Sequence, residues 1–286
     1  MATAQQLPGP DELDDDEREA VELLLRRLGD DEFVLAERYT EWQVISPTLE
    51  SDLALSNIAQ DELGHARLWY DLLMDFGYEE PDLIWERGHD GWRHSTLVEL
   101  PFDDGDWADA ILRSYLYDVA EDLRLDALAD SSYGRIAGRV EKIRGEEEYH
   151  LEHAQNWLER LASTDEGREQ VQNAVDRQFP HALTLFEPGD PEIEARIDDL
   201  GLRTRSLSEL GADWLERVVP FLNSLGIETP VDETHEVTEE SLPDLTGRDG
   251  EHTEDWPALY DEFTRTYHEL GRDRADRIMA DPDETE

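Results

Sequence analysis

The stretch QDELGHAR, residues 60–67, lies inside a long helical pattern and places Glu62 three residues before His65. That spacing puts both side chains on one helix face, one turn apart. A carboxylate and an imidazole side by side in a helical bundle are what a buried metal ion takes from one helix. One such pair is weak evidence in a chain this rich in Glu, because Glu86 and His89 share the spacing in a glycine-interrupted segment that cannot be a helix core.

A second pair in helical context strengthens the first. Glu147 and His150 lie 85 positions after Glu62 and His65, and two further Glu residues, 84 positions apart, precede the pairs. The chain therefore predicts two helical hairpins, each with one Glu on its first helix and one Glu-x-x-His pair on its second. Ferritin-like carboxylate proteins hold two iron or manganese ions in this way. The six predicted metal ligands are Glu37, Glu62, His65, Glu121, Glu147 and His150.

Most acidic residues in such a chain are expected on solvated helix faces. Glu41 is assigned to such a face, because Leu125 stands at its repeat position. The same assignment is made for five other polar residues near the pairs: Asp61, Asp118, Glu146, Glu148 and His153. The six residues in register are treated differently, because several Glu residues facing one core without a cation would be costly to keep ionised.

Apolar periodicity predicts an all-α fold, a ferritin-like four-helix bundle built from two helical hairpins with extra C-terminal helices packed on it. A disordered lead is expected over residues 1–12 and a single helical domain over 13–280, with the bundle core at about 31–162 and the C-terminal helices at about 165–280. Residues 78–104 are the expected crossover between the hairpins. Helices are predicted at about 11–29, 31–45, 51–76, 106–129, 134–161, 166–186, 207–226 and 256–279.

Composition limits the function further. The 286-residue chain has a formal net charge of −48, a single lysine at Lys142 and no cysteine. Acid spread along amphipathic helices predicts a halophilic source, where salt screens the self-repulsion, and argues against nucleic acid as a partner. The absence of cysteine excludes disulfides and thiolate metal sites. With no apolar run of membrane-spanning length and no signal-peptide pattern, the expectation is a soluble cytoplasmic protein.

Several segments together resemble one known family. They are residues 46–67 (SPTLESDLALSNIAQDELGHAR), 97–101, 107–109, 149–151 and 250–254 (GEHTE). These resemble the PaaC-type subunit of phenylacetyl-CoA epoxidase, over about residues 31–270. The resemblance implies a multicomponent monooxygenase of aerobic phenylacetate degradation, in which a PaaA subunit holds the di-iron site and epoxidises the aromatic ring of the CoA thioester. PaaC is the structural partner in that complex, and a reductase delivers electrons from NADPH.

The chain departs from the family pattern at Glu62 and His65, where typical PaaC chains carry apolar residues or glutamine. One hypothesis is therefore a di-iron oxygenase component that acts on phenylacetyl-CoA or a related aromatic acyl-CoA beside a PaaA-like subunit. Another is a non-catalytic scaffold for a catalytic homologue. A ferroxidase or iron-storage protein is disfavoured by the long, irregular C-terminal third. The segment 247–254 (GRDGEHTE), with His252, is predicted by composition to be only a loop before a helix.

Overall fold

The computed structural model describes residues 6–43, 45–102, 105–235 and 241–270, and every regular element in these ranges is helical. Short 3₁₀ turns accompany the α-helices. The α-helices of the described residues are α1 (Asp15–Thr40), α2 (Leu49–Met74), α3 (Glu80–Leu83), α4 (Thr96–Glu99), α5 (Trp107–Leu128), α6 (Gly134–Ala162), α7 (Asp165–Ala182), α8 (Pro191–Asp199), α9 (Leu207–Ser224) and α10 (Trp256–Leu270).

The four long helices α1, α2, α5 and α6 form the bundle. Helix α1 packs along α2, α5 packs along α6, and α2 contacts α6. Side chains fix where these helices begin: Asp14 and Glu17 form a capping box at α1, and Thr48 and Asp106 cap α2 and α5. Each cap satisfies backbone N–H groups that have no partner within the helix. The prediction of an all-α, ferritin-like bundle with additional helices is confirmed.

One predicted boundary is wrong, because α1 is a single helix that continues through Gly29 instead of two helices that meet there. The glycine serves close packing. A Cβ at Gly29 would lie 2.7 Å from Cε1 of Tyr70 on α2, and the Tyr70 hydroxyl donates to Asp30 Oδ1 at 2.7 Å. Gly29 therefore allows α1 and α2 to approach each other closely. A glycine inside a helix costs backbone entropy, and α1 remains helical in spite of that cost.

The C-terminal helices pack on the bundle and, together with α6, bury most of α5. Helices α7 and α9 pack on α5, and α8 packs on α1. All residues of α5 are buried except Asp122 and Asp126, and the Trp214 indole of α9 donates to the Leu116 carbonyl at 2.9 Å. Helix α8 was not predicted, whereas α7 and α9 lie close to their predicted ranges. The crossover contains α3 and α4.

The two ends of the described chain compare differently with expectation, because the structure describes the predicted segment only in part at each end. Residues 6–12 were assigned to a disordered lead, but the Leu7 N–H donates to the Ser132 carbonyl at 2.8 Å, in the turn between α5 and α6. Helix α10 is described as far as Leu270, so the predicted extension to residue 279 lies outside the described residues, as do residues 1–5. Within the described ranges, no helix has the length and apolarity needed to cross a membrane.

We predict opposite stability changes for two helix glycines changed to alanine. Gly29→Ala forces its Cβ against a Tyr70 ring that the bond to Asp30 holds in place, and should lower the free energy of unfolding by about 1–3 kcal/mol. Gly138→Ala, on α6 with no atom within 4 Å of the new Cβ, should raise it by about 0.5–1 kcal/mol. Denaturant unfolding measures both, and equal changes would contradict the packing role of Gly29.

Candidate metal centre

Three helices bring carboxylates and imidazoles together in the middle of the bundle. Possible ligand atoms of four buried residues lie within 4.8 Å of one another: Glu32 of α1, Glu62 and His65 of α2, and Glu147 of α6. His150 of α6 adjoins them. Its Nδ1 is 3.5 Å from Glu62 Oε1 and 3.4 Å from Glu147 Oε1. The structure therefore brings both predicted Glu-x-x-His pairs to one site.

The two histidines point equivalent atoms inwards. His65 Nδ1 lies 3.2 Å from Glu147 Oε1, 3.7 Å from Glu62 Oε2 and 4.0 Å from Glu32 Oε2. The His65 and His150 rings are 6.1 Å apart between centroids. Both Nδ1 atoms thus face the carboxylates. The histidine of each Glu-x-x-His pair lies close to the Glu of the other pair.

The outer nitrogen of each histidine is held by an acid from the opposite hairpin. His65 Nε2 donates to Glu146 Oε2 at 2.7 Å, and His150 Nε2 contacts Asp61 Oδ2 at 3.3 Å. A proton fixed on Nε2 leaves a lone pair on Nδ1, as a metal ligand requires. Sequence reasoning assigned Asp61 and Glu146 to solvated faces and missed this contact. The available signal was their position, since each immediately precedes the Glu of a Glu-x-x-His pair.

Glu37 is not part of the cluster, and Glu32 takes its predicted place. The two residues are five positions apart on one helix, which rotates them by about 140° relative to each other. Glu37 lies near Glu262 of α10, and burial together with that neighbour raises the pKa of Glu37 to about 7. In the structure Glu32, and not the predicted Glu37, therefore occupies the α1 position of the cluster, since an offset between hairpins does not define which helix face turns inwards.

Helix α5 presents two carboxylates towards the cluster. The predicted Glu121 accepts a hydrogen bond from Arg124 Nε at 2.7 Å through Oε2, and its Oε1 is buried without a partner. Asp118, which was assigned to a solvated face, is fully buried. Its Oδ2 accepts from Ser114 at 2.8 Å, and its Oδ1 is without a partner. Asp118 also lies 86 positions after Glu32, close to the 85-residue offset of the two pairs.

The pKa values of the cluster show how strongly its charges interact. Burial, followed by the charges of Glu62 and Glu121, raises the pKa of Glu32 well above its usual range. Burial and the Glu147 charge do the same for Asp118. Burial would lower the pKa of His65, but Glu147 and Glu62 raise it to about 10. Without a metal, the site must therefore take up protons to limit repulsion between its carboxylates.

The donor set fits a pair of metal ions. Buried polar atoms in folded proteins almost always have hydrogen-bond partners. Several buried polar atoms of the described residues have no such partner, and those that lie together in the bundle are both carboxylate oxygens of Glu32, Glu62 and Glu147, and Nδ1 of His65 and His150. Carboxylate oxygen and imidazole nitrogen are the ligands that iron and manganese take from proteins. These potential ligand atoms converge on one point without hydrogen-bond partners, so they fit a metal site better than they fit a hydrogen-bonded core.

Comparison with known proteins identifies the family of the chain. The family model described as phenylacetic acid catabolic protein matches residues 4–272. The chain belongs to the phenylacetic acid catabolic protein family. The C-type subunit of 1,2-phenylacetyl-CoA epoxidase from Escherichia coli (strain K12) is 30% identical over 231 residues, which cover 80% of this chain and 88% of that protein. The resemblance to a PaaC-type subunit, predicted from the sequence, is confirmed.

In this member of the phenylacetic acid catabolic protein family, charge balance distinguishes the two acids of α5. Glu121 is paired with Arg124, so their charges offset each other. The carboxylates that remain at the cluster are those of Glu32, Glu62, Asp118 and Glu147. Four negative charges match two divalent ions when both histidines are neutral. On this ground Asp118 is the better candidate for the sixth ligand, because the charge of Glu121 is already paired with that of Arg124.

We predict that the metal-free chain loses stability as pH rises from 7 to 9. The pKa of His65 is 6.5 in the unfolded chain and about 10 when folded, so the folded state binds more protons in this window. The stability due to this shift is complete below pH 6.5 and is lost as pH rises towards 10. Surface carboxylates are already ionised in this range. Thermal unfolding of chelator-treated protein at constant salt measures the effect.

The matched variant for this pH experiment is His65→Gln, which removes the titrating imidazole. Its unfolding midpoint should fall less between pH 7 and 9 than that of the wild type. A wild-type midpoint that stays level or rises across this window would contradict the predicted linkage.

Proposed function

We propose that this chain is a component of a multicomponent phenylacetyl-CoA 1,2-epoxidase and that it retains a di-iron carboxylate site. The E. coli relative is named as a subunit of 1,2-phenylacetyl-CoA epoxidase, which supports the reaction and the multisubunit context. One observation carries the metal part of the proposal: the buried carboxylates and imidazoles that converge in the bundle without hydrogen-bond partners.

The proposed ligands come from all four bundle helices, with Asp118 as the sixth and Glu121 as its alternative. The full set is Glu32, Glu62, His65, Asp118, Glu147 and His150. Two iron ions fit this donor set, and manganese fits the same chemistry. When bound, two iron ions would supply reductive activation of dioxygen, which no amino-acid side chain can provide.

The chain's own residues orient and insulate the site. Glu146 and Asp61 hold the outer nitrogens of the histidines, which fixes the ring planes and directs both Nδ1 atoms inwards. Arg124 keeps one oxygen of Glu121 away from the centre. Helices α7 and α9 pack on α5, and the α5 acids nearest the site, Asp118 and Glu121, are fully buried.

The proposed electron source and partners rest on the resemblance to phenylacetyl-CoA epoxidase. A separate NADPH-dependent reductase would supply electrons, and a catalytic PaaA-like subunit would be the neighbouring chain. The substrate would be phenylacetyl-CoA or a related aromatic acyl-CoA. A scaffold role without chemistry of its own is the second candidate function, because the E. coli relative is named as one subunit among several.

We predict that the wild-type chain binds two ferrous ions after anaerobic loading, measured by iron analysis and ultraviolet-visible spectra with and without dioxygen. Glu32→Gln should reduce bound iron to below one ion per chain, because it removes a charged ligand. Glu37→Gln is the matched control on the same helix and should leave iron binding unchanged. Less than one iron per two wild-type chains, with the fold intact by circular dichroism, would refute the metal proposal.

The same loading experiment identifies the sixth ligand. Asp118→Asn should weaken iron retention more than Glu121→Gln, because Arg124 already compensates the Glu121 charge. The reverse order would assign the position to Glu121.

A second prediction separates a catalytic role from a scaffold role. In a complex reconstituted with the homologous subunit and the reductase, Glu62→Ala should slow NADPH-dependent epoxidation of phenylacetyl-CoA by more than about tenfold. The scaffold hypothesis expects an unchanged rate in a complex that assembles normally, as checked by co-purification. Rapid iron oxidation with mineral formation in the absence of any acyl-CoA would instead indicate a ferroxidase or storage role.

A further inference from the structure

The segment 247–254, predicted from composition to be a simple loop, is seated against the bundle. Gly247 has a φ of +82°, and a Cβ there would lie 2.2 Å from the carbonyl oxygen of His94. Gly250 also has positive φ, and its N–H donates to the Gly247 carbonyl at 3.0 Å. Only glycine adopts this backbone at such close approach without strain. The segment is therefore a fixed turn that presents His252 inwards.

Three side chains meet beneath this turn. His94 precedes α4, Glu99 ends α4, and His252 arrives from a segment more than 150 residues later. His94 and Glu99 are fully buried, and the His252 side chain is 4% exposed. His94 Nε2 lies 2.5 Å and His252 Nδ1 lies 2.7 Å from the same oxygen, Glu99 Oε2. The two rings stack at 4.2 Å between centroids.

This cluster is separate from the one in the bundle. Glu32 belongs to the bundle cluster, whereas its neighbour Asp31 accepts from the Ser95 N–H at 2.8 Å and from Arg248. Consecutive residues of a helix point about 100° apart. The His94, Glu99 and His252 cluster therefore lies on a different side of α1.

The hydrogen bonds around the cluster leave one contact unexplained. His252 Nε2 lies 3.3 Å from the Trp92 carbonyl, which can only accept, so Nε2 carries a proton. A neutral His252 then has a bare lone pair on Nδ1, facing a carboxylate oxygen 2.7 Å away. Two acceptors at that distance require a cation between them, either a second proton or a metal ion.

The remaining contacts resemble the surroundings of a metal ligand. Metal-bound histidines usually donate their other N–H to a carbonyl or carboxylate, as His252 does to Trp92. Glu99 is oriented by the Thr253 N–H, which donates to Oε1 at 2.7 Å.

We propose that His94 Nε2, His252 Nδ1 and the Glu99 carboxylate bind one divalent first-row transition ion, represented by Zn²⁺, which fastens the 247–254 segment to the bundle. Two nitrogens and one carboxylate favour such an ion over Mg²⁺ or Ca²⁺. Ligand atoms around tetrahedral Zn²⁺ are about 3.4 Å apart, so the present contacts need to open by less than about 1 Å. The Thr253 hydroxyl, buried without a partner among the described residues, is available to bond a water in the fourth position.

The test uses a full-length chain whose bundle site is disabled by Glu62→Ala and His150→Ala, so its result does not depend on iron binding there. Calorimetric titration with Zn²⁺ should give about one ion per chain. Adding His252→Ala should abolish that binding, whereas adding His89→Ala, an exposed histidine of the nearby crossover, should not. No Zn²⁺ bound to the folded, bundle-disabled chain would overturn the proposal, as would equal binding with and without His252.

Two further measurements guard against variants that fail to fold. Glu99→Gln keeps the side-chain shape but removes the charge, and should weaken Zn²⁺ binding by at least about tenfold. Anomalous diffraction at the zinc edge from wild-type crystals needs no variant. A peak among the three side chains supports the site, and its absence at saturating Zn²⁺ would show that a proton, not a metal ion, joins His252 to Glu99.

Discussion

Mutual repulsion among buried carboxylates is the constraint on which the rest of this structure depends. Acidic side chains from α1, α2, α5 and α6 end in one water-poor space, where an unpaired charge costs several kcal/mol. Such a cluster is compatible with a folded chain only if cations or protons enter with it. The identity of those cations, two metal ions under the proposed function, therefore determines both the stability of the bundle and its chemistry.

Arginine supplies part of that positive charge from outside the cluster. Arg124 joins Glu121 to Asp31, and Arg248 of the 247–254 segment donates to both carboxylate oxygens of Asp31. Burial alone would raise the pKa of Asp31, but Arg248 and Arg124 hold it below its usual range. The C-terminal third is therefore tied to the helix that carries Glu32, and its helices also bury α5.

Prediction from the sequence succeeded where a local pattern had a physical meaning within one helix. Two Glu-x-x-His pairs at a constant offset predicted that the second helix of each hairpin contributes one pair to a shared site. It failed where the identity of a site residue depended on how one helix is rotated relative to its neighbours. Glu37 and Glu32 are the same residue type on the same helix, and only the packing of α1 on α2 turns Glu32 inwards. Gly29 was interpreted as a helix end because a close contact with Tyr70 leaves no trace in local sequence.

By itself the sequence determined the fold class, the two hairpins, the family and four residues of the candidate site, because these follow from periodicity, spacing and motif similarity. Only the tertiary structure decided the remaining residues of the candidate sites. It selected Glu32, brought Asp118 inwards, placed Asp61 and Glu146 behind the histidines and joined His252 to Glu99. The reason is geometric: the partners lie on different elements, and the charge of a buried acid depends on which groups the fold places within a few ångströms of it.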